Sequence, residues 1–366
     1  MNRDRQDRIA IIGLGVIGGS LGLGLKSLGR YYIVGIDQDE QTLRTARETG
    51  AIDEGTSDYR LGVAEARVVI LSVPVTSIMR IAAQIQDVVP PDAVVTDVGS
   101  TKAQLVATLE ALYQGRFVGG HPMTGSEYAG IGGADQYLFE NAIYVLTPTE
   151  RTAPETLAAV EGLVRELGAS PICLSPREHD RIVAAVSHQP YMLAVALMNL
   201  ASALETDHPA AMLLAAGGFR DVTRIASGEP AMWMDIFDSN REFILKTSRQ
   251  FRARLSDLEG YLEHGDTAAL AEALAKARQG RQRIPVAVRG LLPAVFEVVA
   301  MLPDRPGSIA EIAGILGHGG INIVDIEILR AREGEGGTLR LAFKTENDAT
   351  AALDALRHRG IVVKRR

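Results

Sequence analysis

Cysteine is the scarcest reactive group in this chain: 366 residues carry one, Cys173. A single thiol excludes an intramolecular disulfide and any multi-cysteine metal cluster, fits a reducing compartment, and reads as a small buried hydrophobe. Positive charge is also in deficit, with 38 Lys and Arg against 45 Asp and Glu for a net charge of −7, and no long basic block is present. The electrostatic footprint of a nucleic-acid binder is therefore missing, and small-molecule ligands are expected instead. The seven histidines show no metal-ligand spacing. Met1 to Arg8 is polar and charged and leads straight into a strand, so no signal-peptide core is expected. The longest apolar stretch, Tyr191 to Leu204, is broken by Asn199 and Ser202 and falls short of a membrane span. A cytoplasmic protein with neither membrane nor nucleic-acid partners is the expectation.

Glycine is what the chain has in quantity, 37 residues, and its placement is informative. Gly13-Leu14-Gly15-Val16-Ile17-Gly18-Gly19 lies between the apolar run Ile9 to Ile12 and a helical segment from Ser20 to Leu28. A strand, a tight turn and a helix in that order need a first glycine free of Cβ sterics and a second that lets a pyrophosphate approach the backbone. A third allows close helix–strand packing, and the phosphate sits on the helix N-terminus. Tyr31 to Ile36 reads as the next strand and ends on Asp37, where a ribose-binding acid belongs. The Asp37 carboxylate accepts both ribose hydroxyls and repels a 2′-phosphate, and no arginine directly follows it, so NAD is favoured over NADP. Gly13, Gly15, Val16, Ile17, Gly18 and Asp37 are the candidate cofactor contacts, joined by Ser72, Val73 and Pro74 at a later strand end.

Further strands follow at Val68 to Val73, Ala93 to Val98, Phe117 to Gly120 and Ala142 to Leu146, separated by helical patterns. This alternation predicts a doubly wound α/β Rossmann domain over 1–175. Residues 176–280 are helical in period and form an all-α domain, with an apolar face from Ile182 through Leu204 that calls for burial in a core or against a second subunit. A linker is expected over 281–293. From 294 to 366 the order of elements is βαββαβ, a ferredoxin-like sandwich, with Ser308 and Asp348 as expected helix caps.

The carboxyl ends of the predicted strands should line one crevice, and they are more polar than the strands feeding them. A dehydrogenase needs a group that takes the hydroxyl proton while hydride leaves the same carbon, a task suited to a neutral histidine. His121, in the loop His121-Pro122-Met123-Thr124-Gly125-Ser126-Glu127, is the best-placed candidate. Ser100 ends a neighbouring strand and can hydrogen-bond the substrate hydroxyl or the imidazole. In the helical region Gly217 to Arg224 crowds charged groups beside a Gly-Gly kink. Arg224 suits a carboxylate, and Asp221, at i−3, is spaced to hold its guanidinium.

Taken together, the glycine run with Asp37, Asp97-x-x-Ser100, the His121 loop, Ser187-His188, Gly217 to Arg224 and Met232-Trp233 resemble the prephenate and arogenate dehydrogenases of tyrosine biosynthesis over nearly the whole chain. The resemblance implies that His121 draws the proton from the C4 hydroxyl of a cyclohexadiene, that Ser100 supports it, and that Arg224 binds the ring carboxylate. Ser126, Glu127, His188 and Trp233 would border the substrate pocket. Family members acting on prephenate commonly carry a second histidine three residues after the one matching His188, and here that position is Tyr191. A phenol is neutral at pH 7 and offers no cation to a pyruvyl carboxylate, so arogenate, or both substrates, stays open, while the C-terminal module favours an NAD-dependent prephenate dehydrogenase. The C-terminal sandwich resembles an ACT module, which implies a homodimer and an aromatic amino-acid effector such as tyrosine near Asp304, Pro306, Gly307, Gly317 and Asn322. The competing readings are a β-hydroxyacid dehydrogenase or imine reductase of similar build, and an NAD and amino-acid sensor without turnover.

Overall fold

A computed structural model describes residues 7–125, 129–284, 296–302, 305–332 and 336–365. They divide into two compact units, 1–290 and 291–366.

The first unit is built on eight strands: β1 (Asp7–Ile12), β2 (Tyr31–Ile36), β3 (Glu54–Thr56), β4 (Val68–Leu71), β5 (Val94–Asp97), β6 (Phe117–Pro122), β7 (Ile143–Thr147) and β8 (Ser170–Cys173). Their order across the sheet is β3-β2-β1-β4-β5-β6-β7-β8. Strands β1 to β6 run parallel, and β7 pairs antiparallel with β6. Period-two alternation assigns side chains to faces. On β1, Ile9 and Ile11 enter one core with Leu21 and Leu25 of α1 (Val16–Ser27) and Val160, Leu163 and Val164 of α6 (Pro154–Glu166). Ala10 and Ile12 enter the other core with Ile78 to Ile85 of α4 (Val75–Ile85) and Leu105 to Tyr113 of α5 (Ala103–Tyr113). Each large apolar side chain so buried stabilises the unit by about 1.5–3 kcal/mol before the entropy of ordering is counted. Helices on both faces bury the parallel strands, which is why those strands read as unbroken apolar runs rather than alternating ones.

Beyond β8 the first unit becomes helical: α7 (Pro176–Val183), a π turn (Ala184–His188), α8 (Gln189–Glu205), α9 (Gly217–Thr223), α10 (Pro230–Ser239), α11 (Arg241–Glu263) and α12 (Thr267–Gln282). The π turn has a local cause. Pro190 has no N–H, which removes an acceptor-to-donor link from the helix interior, and the Gln189 N–H reaches back five residues to the Ala184 carbonyl. By length and composition the stretch Pro176–Glu205 is long and apolar enough to cross a membrane, unlike the shorter run read from the sequence. Its residues His179, Asp180 and His188 are buried inside the unit, whereas Val186, Leu200 and Leu204 are exposed.

In the second unit β9 (Phe296–Leu302), α13 (Ser308–His318), β10 (Asp325–Arg332), β11 (Gly336–Phe343), α14 (Glu346–His358) and β12 (Val363–Arg365) form the βαββαβ sandwich, with strand order β10-β11-β9-β12. One sheet face buries Val298, Ala300, Leu339, Leu341 and Phe343 under the two helices. On the other face Arg340 of β11 pairs with Glu327 and Asp325 of β10 and Glu297 of β9.

Four sequence expectations need correction. Ser308 is the first helical residue rather than a cap, because Gly307 at φ 89° makes the turn before it. Thr345, not Asp348, caps α14, its hydroxyl accepting the Asp348 N–H at 3.1 Å. Residues 281 and 282 continue α12 instead of starting a linker; 285–293 lie outside the described residues. Cys173 is exposed on an edge strand, with Sγ 3.7 Å from Glu161, rather than buried.

Candidate active site

The glycine turn has the geometry that a phosphate-binding loop requires. Gly13 sits at φ 91°, and a Cβ there would lie 2.2 Å from the Ser72 carbonyl oxygen. A Cβ on Gly18 would lie 1.9 Å from the Gly13 carbonyl oxygen, so that position too admits only glycine. Gly15, by contrast, faces open space and caps α1 with no side-chain hydrogen bond. The first N–H groups of α1, from Val16 and Ile17, have no helical acceptors and stand at the positive end of the helix dipole. Asp37 is tied to this loop, Oδ2 accepting the Leu14 N–H at 2.9 Å and Oδ1 the Asp39 N–H at 3.0 Å. Ser72, Val73 and Pro74 close the same edge: Ser72 and Val73 abut Gly13, and Pro74 precedes α4. A dinucleotide fits this cradle.

Two strands along, the end of β6 carries His121. Its Nδ1 lies 2.8 Å from Nε2 of His179, and Nδ1 of His179 lies 2.8 Å from Oδ1 of Asp180. Both partners are buried. Asp180 also accepts the backbone N–H groups of Lys102 and Ala103, each at 2.7 Å, and so caps α5 from the helical part of the unit. Its own carbonyl accepts from Nδ2 of Asn240 at 2.9 Å, and the same amide nitrogen lies 3.2 Å from Nδ1 of His188. Beneath this network Lys102 and Asp97 form an ion pair with no solvent exposure, and Asp97 further accepts the N–H groups of Gly99 at 2.7 Å and Gly120 at 3.1 Å. The Gly120 bond fixes the residue immediately before His121.

These surroundings set protonation. Burial first, then His179, Lys102 and His188, hold the His121 imidazole well below the usual histidine range, so it is neutral at pH 7. Burial, opposed by Asp180 and reinforced by His179, pushes His188 down to about 4. Burial raises the Asp97 carboxyl, against the pull of Lys102 and the two N–H groups.

Ser100 follows Gly99 at the end of β5, on the strand beside β6. Its hydroxyl makes no hydrogen bond to His121 among the described residues; the imidazole's partner is His179. His188, in the π turn, stands edge-on to Trp233 of α10, with centroids 6.2 Å apart. Tyr191 is buried and stacks on Trp233 at 3.6 Å and 10°. Gly228 makes room for that indole, since a Cβ there would meet its Nε1 at 2.6 Å. Gly217 opens α9, and Asp221 and Arg224 are exposed at its far end. Asp221 forms no ion pair with Arg224 among the described residues, contrary to their spacing. Pro306 and Gly307 form the turn before α13, Gly317 lies in its last turn and Asn322 just beyond. Ser126, Glu127 and Asp304 lie outside the described residues.

Sequence reasoning missed His179, Asp180, Asn240 and the role of Lys102. The adjacent His179-Asp180 pair a few residues before Ser187-His188 was the one local signal available for the relay.

A glycine cradle at one strand end and a neutral, buttressed imidazole at another define a Rossmann-type oxidoreductase. Sequence signatures agree: residues 21–173 match the prephenate dehydrogenase nucleotide-binding domain, 175–276 the prephenate dehydrogenase dimerization domain, and 296–357 the ACT domain. The chain is 35% identical to a prephenate dehydrogenase of Bacillus subtilis over 95% of both chains. Among solved structures, a prephenate dehydrogenase from A. aeolicus in complex with hydroxyphenyl propionate and NAD+ is 33% identical, with a TM-score of 0.73 over 76% of this chain and 99% of that one. An arogenate dehydrogenase from Synechocystis is also 33% identical, with a TM-score of 0.68 over 76% of this chain and all of the other. The chain belongs to the prephenate dehydrogenase family.

Proposed function

We propose that this protein catalyses the NAD+-dependent oxidative decarboxylation of prephenate to 4-hydroxyphenylpyruvate. The observation that carries the reading is the neutral His121 at the end of β6, with Nδ1 occupied by His179 and Nε2 left for substrate. Nε2 takes the C4 hydroxyl proton, a contribution of about 10²–10⁴ in rate. NAD+, when bound, supplies the acceptor for the C4 hydride. As the C4–O bond becomes a carbonyl, the bond from the ring to its carboxylate breaks, CO₂ departs, and its electron pair passes through the ring to the C4 oxygen, which takes up a proton to give the phenol. The aromatic ring formed makes the sequence effectively irreversible. Arg224 holds the ring carboxylate, Ser100 hydrogen-bonds the C4 hydroxyl, and Ser126, Glu127, His188, Tyr191 and Trp233 border the substrate. Alignment and electrostatics supply most of the catalysis.

The NAD+ site comprises the glycine turn, Asp37 and the β4 end. The domains divide at about the borders read from the sequence, with the helical region dimerising through the exposed apolar residues Leu200, Leu204, Leu213 and Leu214. The ACT unit takes an aromatic amino acid, tyrosine, beside Asp304 to Gly307 and Gly317 to Asn322. A cytoplasmic location fits a biosynthetic role. The reading is tested by following NADH formation with prephenate and with arogenate, each with NAD+ and NADP+. Preferred turnover of prephenate with NAD+ is expected. Preference for arogenate would assign the Tyr191 position to an amino-acid side chain instead, and absence of turnover with every pair would favour the sensor reading.

A further inference from the structure

Four buried polar groups surround His121 at a density that packing alone does not call for. His179, Asp180, Lys102 and Asp97 are all at most 1% exposed, and apolar residues of similar volume would fill that space without the cost of desolvating charge. Their hydrogen bonds, however, have only one self-consistent arrangement when each of the two imidazoles carries a single proton. The Asp180 carboxylate is an acceptor and already takes two backbone N–H groups, so Nδ1 of His179, 2.8 Å away, must bear a proton. With its one proton on Nδ1, His179 has a bare Nε2, and Nδ1 of His121, 2.8 Å from it, must bear the shared proton. The lone pair of His121 is left on Nε2.

The second arm starts from the same residue. The Asp180 carbonyl accepts from the amide of Asn240, which fixes that amide's orientation, because the flipped form would set two oxygens against each other. The second hydrogen on Asn240 Nδ2 points to Nδ1 of His188, at 3.2 Å. His188 must accept there and so carries its proton on Nε2.

We propose that Asp180 is a positioning residue that fixes the two active-site histidines with opposite polarity: through His179 it makes His121 an Nε2 acceptor, and through Asn240 it makes His188 an Nε2–H donor. His188 is then not a second base but a donor to a substrate oxygen. When His121 takes a proton at Nε2, its Nδ1–H can move to Nε2 of His179: one N–H bond forms and one breaks at His121, and His179 gains an N–H bond and the positive charge, which then lies against the Asp180 carboxylate. The inference rests on the proposed role of His121 in the reaction, but its structural content can be read without substrate.

The test is nitrogen-15 NMR of the full-length protein labelled at histidine, at pH 7, with signals assigned by their loss in His121→Asn, His179→Gln and His188→Asn. Expected are protonated Nδ1 on His121 and His179 and protonated Nε2 on His188. Protonated Nε2 on His121, or protonated Nδ1 on His188, would overturn the proposal even if the enzyme turned over prephenate normally. Kinetics supply a second reading. His179→Gln places an amide oxygen near the Nε2 position and should keep kcat within about tenfold, whereas His179→Leu should lower kcat by about 10²–10⁴ with KM little changed. Equal kcat for wild type and His179→Leu would refute the relay. If wild type fails to turn over prephenate, the functional reading falls, and the tautomer assignment is judged by the NMR alone.

Discussion

Replacing Lys102 with Met should destabilise the first unit by about 3–5 kcal/mol at pH 7, because it strands the Asp97 carboxylate without its ion-pair partner. Both side chains are fully buried, so neither water nor salt screens the loss. What remains to Asp97 is the N–H of Gly99 at 2.7 Å and of Gly120 at 3.1 Å, too little to hold a charge at zero exposure. Against a typical domain stability of about 5–15 kcal/mol this is a large fraction. The effect should also depend on pH, with a defined sign. Burial already raises the Asp97 carboxyl above its ordinary value with Lys102 opposing, and loss of Lys102 raises it further. A carboxyl whose folded pKa lies above its unfolded value contributes stability at low pH and loses it as pH rises through the folded value. The deficit of Lys102→Met is therefore widest at neutral pH and narrower in a parallel measurement at lower pH, as Asp97 protonates. Urea unfolding followed by the fluorescence of Trp233, the sole tryptophan, reads the first unit directly. Asp97→Asn combined with Lys102→Met should recover most of the loss by removing the stranded charge. A deficit below about 0.5 kcal/mol, the range of ordinary surface changes, or one that is the same at both pH values, would refute the reasoning.

Gly13→Ala forces a Cβ to within 2.2 Å of the Ser72 carbonyl oxygen at φ 91°, and should weaken NAD+ binding by at least about tenfold in calorimetry, about 1.4 kcal/mol; unchanged affinity would contradict the cradle. His188, held down to about 4 by burial, is neutral when folded and charges at its ordinary value when unfolded. Its share of stability is full above about pH 6.5 and falls by about 3 kcal/mol as pH drops toward 4. The slope should flatten in His188→Asn, and an identical slope would contradict the assignment. Arg224→Gln should raise KM for prephenate by the equivalent of about 2–5 kcal/mol with a smaller change in kcat; a normal KM would move the carboxylate site elsewhere.

The parts of this fold that could be read from sequence are those encoded within one or two neighbouring elements. The glycine turn declares itself because Gly13 and Gly18, within six residues of each other, forbid a Cβ, and Asp37 because it ends the next strand. The βαββαβ order is likewise local. His121 was legible as a polar residue at a strand end. Its support was not, because His179 and Asp180 come from a helix 58 and more residues away, and only packing of α7 against the N-terminus of α5 brings them together. Lys102 was visible beside Ser100, but nothing in the chain signals that a lysine two residues further on turns inward to Asp97. The Asp221–Arg224 pair failed for the opposite reason: the spacing allows contact on a regular helix, yet α9 ends at Thr223 and Arg224 begins a tighter turn.

The most direct test of the account is a single-turnover measurement of NADH formation from prephenate and NAD+ with excess enzyme, comparing wild type with His121→Asn. The account predicts a fall of about 10²–10⁴ in the rate of the chemical step with NAD+ affinity nearly unchanged. An undiminished rate in His121→Asn would contradict the assignment of His121 as the base on which the proposed reaction depends.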